Sequence, residues 1–198
     1  WVPIEEYTFF VLQPIFSALF LLVLLGHLQP AVHEAKPRAR IRLLAVSLVA
    51  VLWLLSIYVL ISRLQPGTYL ALELVWALPP IMLQLAFGAD VLWRYGKAVA
   101  PAVLLPTIFL STADALAIGA GIWTINPAQS LHLYIGGVLP VEEFIFFLLT
   151  NTLVVFGATL SLAPTSRERL QQVARSLRRV VKQLKWPGWG DLRRSVEL

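Results

Sequence analysis

Residues 139–162 read LPVEEFIFFLLTNTLVVFGATLSL. The stretch has no basic residue, and its only charges are Glu142 and Glu143 at its opening. About 20 apolar residues suffice for a helix to cross the hydrocarbon core of a bilayer. The run lacks the polar–apolar alternation of a barrel strand, so it predicts a transmembrane helix. Four more runs of this kind precede it, at roughly 4–27, 43–61, 69–88 and 99–122. Between them lie loops expected at 29–42, 62–68, 89–98 and 123–137, punctuated by Pro30, Pro37, Pro66-Gly67 and Asn126-Pro127. Composition points the same way. The chain is 58% hydrophobic and 14% charged, against about 45–50% and about 25% for a soluble domain. A water-soluble globular domain and a disordered chain are both excluded. The expected fold is an all-α integral membrane protein.

The opening of the quoted stretch occurs twice. Pro3-Ile4-Glu5-Glu6-Tyr7-Thr8-Phe9-Phe10 returns as Pro140-Val141-Glu142-Glu143-Phe144-Ile145-Phe146-Phe147. Proline suits the first turn of a helix, and carboxylates there face the positive end of the helix dipole. Each Glu stands four residues before a Phe, on the same helix face. Both copies open a span from the same side, which predicts parallel repeats. Asp114 and the run to Trp123 precede the second copy, whereas only Trp1 and Val2 precede the first. The first repeat is therefore expected to lack a leading span. Four segments follow from this reading: 1–62 as a first, truncated repeat, 63–98 as a connecting span and loop, 99–162 as the second repeat, and 163–198 as a tail.

All but Arg63 of the 16 Lys and Arg residues fall in 28–42, in 89–98 or after 162. Those regions share one side of a five-span chain, so the positive-inside rule predicts a cytoplasmic C-terminus. In the tail, Thr165 with Glu168 suggests a capping box. Leu170, Val173, Leu177, Val180 or Val181, and Leu184 recur at helical spacing among Arg and Lys. This predicts an amphipathic helix on an anionic leaflet, rather than nucleic-acid binding, with Trp186-Pro187-Gly188-Trp189 closing it. The chain contains no cysteine, which excludes disulfides, thiolate metal sites and cysteine catalysis. His27, His33 and His132 share no helical-face spacing; they receive no role, and no metal site is expected.

Ionisable groups inside spans are costly and mark function. Here they are Glu73 and Asp114, joined by Glu5, Glu6, Glu142 and Glu143 at the span ends. The alternative readings are helix caps at a wet interface for the Glu pairs, an interfacial position for Glu73, and a structural hydrogen bond for Asp114.

These residues resemble the membrane-embedded, non-flavin lycopene cyclase family, built from two related small domains. The resemblance rests on both Pro-x-Glu-Glu-x-x-Phe-Phe motifs, on Trp76 through Gln84, and on Asp114 through Trp123. Family members carry an Asp and a Trp before the first motif as well. The resemblance implies cyclisation of a linear carotenoid end group, lycopene to γ-carotene and β-carotene, by protonation, ring closure and deprotonation without net redox change. It implies Glu5, Glu6, Glu142, Glu143 and Asp114 as catalytic residues. Phe9, Phe10, Phe146, Phe147, Trp123, Glu73, Trp76 and Gln84 would contact substrate. Asp114 is expected to hold the second Glu pair in place. The residue chemistry is compatible with this: carboxyls away from water can keep a proton at neutral pH, and aromatic faces stabilise cations. Gly119-Ala120-Gly121 lacks the third glycine of a dinucleotide fingerprint and lies in a span, so no flavin or nicotinamide cofactor is expected. The expected partners are a carotenoid in lipid, the membrane, and a second subunit or other carotenoid enzymes. A proton-coupled transporter and a metal-dependent prenyl-chain enzyme are the competing readings. Against them stand the aromatic flanks of the acids and the adjacency of the Glu pairs.

Overall fold

The computed structural model describes residues 4–28, 38–123 and 126–184. Pro3, His33, Lys36 and Trp186-Pro187-Gly188-Trp189 lie outside the described residues, as do the side chains of Glu5 and Glu6. The helices are α1 (Ile4–His27), α2 (Ala39–Ile61), α3 (Thr68–Arg94), α4 (Gly96–Gly119), α5 (Val141–Leu162) and α6 (Pro164–Leu184). A two-stranded hairpin, β1 (Tyr134–Ile135) and β2 (Leu139–Pro140), precedes α5. The first five helices are long and apolar enough to cross a membrane, and the chain is an all-α, multi-pass membrane protein. Residues 1–162 form one compact unit and 163–198 another.

Within the first unit, α2 packs on α3, α3 on α5, and α5 on both α1 and α4, which also touch each other. Ala77, Leu78 and Ile81 of α3 meet Leu149 of α5 in a buried cluster, flanked by Val49 and Trp53 of α2. The Trp53 indole N–H donates to the Val75 carbonyl at 3.1 Å. Elsewhere α2 exposes Leu43, Leu44, Leu48 and Leu55, side chains suited to lipid.

Two loop expectations are corrected. Residues 89–98 are not a loop: α3 runs to Arg94 and α4 starts at Gly96, with only Tyr95 between them. No breaker stands between Ala89 and Tyr95. The bend instead falls at Gly88 (φ −157°, ψ 34°), where a Cβ would run into Leu160. Asp90 is buried, with the Arg42 guanidinium 3.8 Å away and the Arg38 backbone N–H donating at 3.4 Å. The second correction lies in 123–140, where the chain forms a 3-10 turn at Pro127–Gln129 and the hairpin. Leu139 and Pro140 belong to β2, so the fifth span begins at Val141. The connecting residues Gly136 and Gly137 take φ values of +61° and +75°, which glycine adopts without a Cβ clash.

The α1 and α5 helices run side by side and parallel, since Phe9 meets Phe147 and Gln13 meets Thr150 and Asn151. A buried polar network fixes this pairing. The Gln13 side-chain N–H donates to Thr150 Oγ1 at 3.0 Å and to Asn151 Oδ1 at 2.9 Å. Ser17 also donates to Asn151 Oδ1. Asn151 in turn donates to Thr107 Oγ1 of α4 at 3.0 Å. Three helices thus meet at one amide.

In the second unit, α6 begins at Pro164, with the Ser166 N–H bonded to the Ala163 carbonyl at 3.0 Å. The expected capping box at Thr165 is replaced by proline in the first turn, where its missing N–H costs nothing.

Asn151→Val should leave Gln13, Ser17 and Thr107 short of partners and cost about 1–3 kcal/mol. Thr152→Val removes a hydroxyl bonded only to its own helix, at the Leu148 carbonyl, and should cost less. Denaturant-induced unfolding of the two variants in lipid-detergent micelles measures the difference.

Candidate functional site

The site forms where α3, α4 and α5 bring acids together beneath the hairpin. Glu142, in the first turn of α5, is fully buried. Its Oε1 accepts from Ser130 Oγ at 3.0 Å and from the Leu131 N–H at 2.6 Å. Its Oε2 is buried without a partner among the described residues. The segment that holds it is itself tied down: the His132 N–H donates to Ser130 Oγ, and the Val141 N–H to the Leu133 carbonyl. Glu143, half-buried, accepts from the Tyr69 hydroxyl at 2.9 Å.

Glu73 stands one turn after Tyr69 on α3. It is 4% exposed, and among the described residues neither carboxyl oxygen has a hydrogen-bond partner. It lies within electrostatic reach of both Glu143 and Glu142. Asp114 of α4 is buried and lies near the Trp123 indole, while among the described residues its Oδ2 and the nearby Ser111 hydroxyl carry no partner. Uncompensated polar atoms away from water are expensive, and facing carboxyls in a dry site cannot all be charged. The chemical capacity of such a cluster is to hold, give and take protons.

One turn deeper lies an aromatic layer. Phe9 and Phe147 meet edge to face with ring centroids 5.8 Å apart, and Phe10 and Phe146 at 6.2 Å. The pairs within each motif are also edge to face, at 5.8 and 5.5 Å. Phe9 further lines an apolar cleft of about 480 Å³ between α1 and α4, shared with Leu12, Gln13, Phe16 and Phe109.

The structure thus gathers Glu73, Asp114, Glu142, Glu143 and Trp123, and joins both Phe pairs below them. Glu5 and Glu6 occupy the matching turn of α1. The anchoring expected of Asp114 is carried out by Ser130, Leu131 and Tyr69. Trp76 is 48% exposed on the flank of α3. Gln84 donates to the Leu153 carbonyl at 3.0 Å; its 11-residue separation from Glu73 puts it about 16 Å further along the helix. Sequence reasoning missed Tyr69, whose signal was its spacing four residues before Glu73. It also missed Ser130 and Leu131, whose loop carries no signal of this role.

Comparison with known proteins finds lycopene cyclases. The chain is 36% identical to a lycopene beta-cyclase of Halobacterium salinarum over 159 residues, which is 80% of this chain and 65% of that protein. It is 34% identical to the bifunctional lycopene cyclase/phytoene synthase of Phaffia rhodozyma over 169 residues, 79% of this chain and 25% of the relative. The corresponding protein of Podospora anserina is 34% identical over 163 residues, 27% of its length. These relatives support a lycopene cyclase family for the chain. It spans about a quarter of the bifunctional relatives and just under two thirds of the halobacterial cyclase. No family model matches the chain, and no solved structure matches it significantly.

The Ser130 hydroxyl both donates to Glu142 and accepts from the His132 N–H. Ser130→Ala should therefore loosen the segment after it, raising hydrogen exchange at the Leu131 and His132 amides of the reconstituted protein while the exchange of α3 stays unchanged. Unaltered exchange at both amides would mean that Ser130 does not hold the loop.

Proposed function

We propose that this protein cyclises the end groups of a linear carotenoid, lycopene being the substrate suggested by the names of its relatives. The observation that carries the proposal is the stacking of buried carboxyls directly above four edge-to-face phenylalanines at the head of two parallel helices. The reaction needs an acid, a surface that tolerates a carbocation, and a base, all away from water. A proton adds to the terminal double bond and leaves a tertiary cation. The neighbouring alkene attacks that cation and closes the ring carbon–carbon bond. Loss of a ring proton restores a double bond, so atoms and charge balance with no redox step.

The acids differ in how they are held, and this supports distinct roles. Among the described residues Glu73 receives no hydrogen bond on either oxygen, which leaves both open to a substrate alkene and suits it to the role of proton donor. Glu142 receives two donors on Oε1, which fix the carboxyl in place and leave Oε2 to face a ring proton. Tyr69 orients Glu143 through its hydroxyl. Aromatic faces of Phe9, Phe10, Phe146 and Phe147 stabilise the cation.

A Gln substitution keeps the shape and the acceptor oxygen but cannot deliver the proton. General acid–base groups contribute about 10²–10⁴-fold. Glu73→Gln, and at least one of Glu142→Gln and Glu143→Gln, should lower ring formation by that order while protein still accumulates in the membrane. Asp114→Asn should weaken it less. Pigment chromatography of cells making lycopene, repeated on protein in lipid without added flavin or nicotinamide, reads the outcome. Full cyclisation by all three Glu variants would reduce these carboxyls to helix caps.

The same reading places both Glu-Glu motifs at the outer face and the C-terminus in the cytoplasm, supported by the crowding of Lys and Arg onto one side of the spans. A C-terminal alkaline phosphatase fusion should be inactive, and a C-terminal green fluorescent protein fusion should be bright; the reverse pattern would invert the orientation.

A further inference from the structure

The helix α6 is built unlike the five before it. Leu170, Val173, Leu177 and Val180 are 58%, 51%, 59% and 49% exposed, so the stripe they form is left open. At about 100° per residue these four positions cover an arc of about 80°. Arg167 falls on one flank of that arc and Arg169 on the other. Arg175, Arg178 and Arg179 fall on the far side, with Gln171 and Gln172. A helix that docks in a protein groove needs no positive charge along both edges of its apolar stripe. Arginines flanking a stripe are placed to bury their stems and raise their guanidinium groups to headgroup phosphates.

The covalent chain adds a second constraint. The spanning helix α5 ends at Leu162 and α6 starts at Pro164, so the first turn of α6 is tethered at the membrane face whatever direction the helix takes. The start of the apolar stripe at Leu170 therefore stands within about 9 Å, along the helix axis, of the membrane face.

We infer that α6 lies in the headgroup layer of an anionic membrane, with the Leu170–Val180 stripe in the acyl boundary and its flanking arginines on lipid phosphates. The inference rests on the membrane-spanning reading of helices α1 to α5 and is independent of the cyclisation chemistry.

The absence of cysteine makes the test direct. An environment-sensitive fluorophore is placed on Leu177→Cys, in the stripe, or on Arg175→Cys, on the polar face, in the full chain reconstituted into vesicles. In phosphatidylcholine vesicles containing phosphatidylglycerol, the label at 177 should shift to the blue, lose quenching by acrylamide and gain quenching by spin-labelled lipid. The label at 175 should stay open to acrylamide. The protection at 177 should weaken in pure phosphatidylcholine and at about 1 M salt, where screening shortens to about 3 Å. Equal acrylamide access at both positions would overturn the inference. So would protection at 177 that disappears when protein is diluted at fixed lipid, which would assign the stripe to a second copy of the chain. Neither reading depends on carotenoid turnover, so failure here and failure of the proposed reaction are separate results.

Discussion

The amide of Asn151 is the joint on which the bundle depends. In lipid the hydrophobic effect does not drive helices together, because the tails are as apolar as the side chains; packing and interhelical hydrogen bonds must do so. Asn151 accepts from Gln13 and Ser17 of α1 and donates to Thr107 of α4. A slip of α1 along α5 by one turn would break the α1 bonds at once and strand polar groups in the bundle interior. The network therefore sets the depth of α1 against α5, and with it the meeting of Phe9 with Phe147 and of Phe10 with Phe146.

This anchoring stands in contrast to the acids two turns above. Gln13, Ser17 and Asn151 are buried and partnered, whereas Glu73 is buried and bare on both oxygens, and Glu142 on one. A bundle held only by well-matched packing would gain by replacing Glu73 with leucine. Unmet carboxyls concentrated at one end, beside a separate network that is well satisfied, are the mark of a site kept reactive by a scaffold that does not need it for cohesion.

The sequence made the spans, the duplicated motif and the acid set legible, because each is a local pattern: an apolar run, a repeated octapeptide, a charge inside a span. It did not reveal what holds the acids. Ser130 and Leu131 reach Glu142 from the loop between a 3-10 turn and a hairpin whose strands are two residues long, too short to leave a periodic trace. The bridging polar residues were hidden differently. Gln13, Ser17, Thr107 and Asn151 are uncharged, so a search for ionisable groups passes over them, although their four-residue spacing on α1 was readable. The junction at Tyr95 was misread because charged residues suggest a loop, while Asp90 is in fact buried against Arg42 and the Arg38 backbone.

Along the paired helices the chemistry is layered at four-residue intervals. On α5 the order is Glu142 and Glu143, then Phe146 and Phe147, then Thr150 and Asn151. On α1 it is Glu5 and Glu6, then Phe9 and Phe10, then Gln13, then Ser17. Four residues advance about 6 Å along a helix and return to nearly the same face. The spacing inside Pro-x-Glu-Glu-x-x-Phe-Phe thus reflects a stack of acid over aromatic rings over amide. The order of that stack matters. With the amide layer deepest, the helices are fixed from below, and the acids need no mutual hydrogen bonds to stay in position. The phenylalanine layer separates the two, so that no donor of the amide network can reach the carboxyls and satisfy them. Exchanging the aromatic and amide layers would place Gln13 and Asn151 beside the acids, quench their unmet oxygens with hydrogen bonds, and remove the apolar faces from the position where a cation would form.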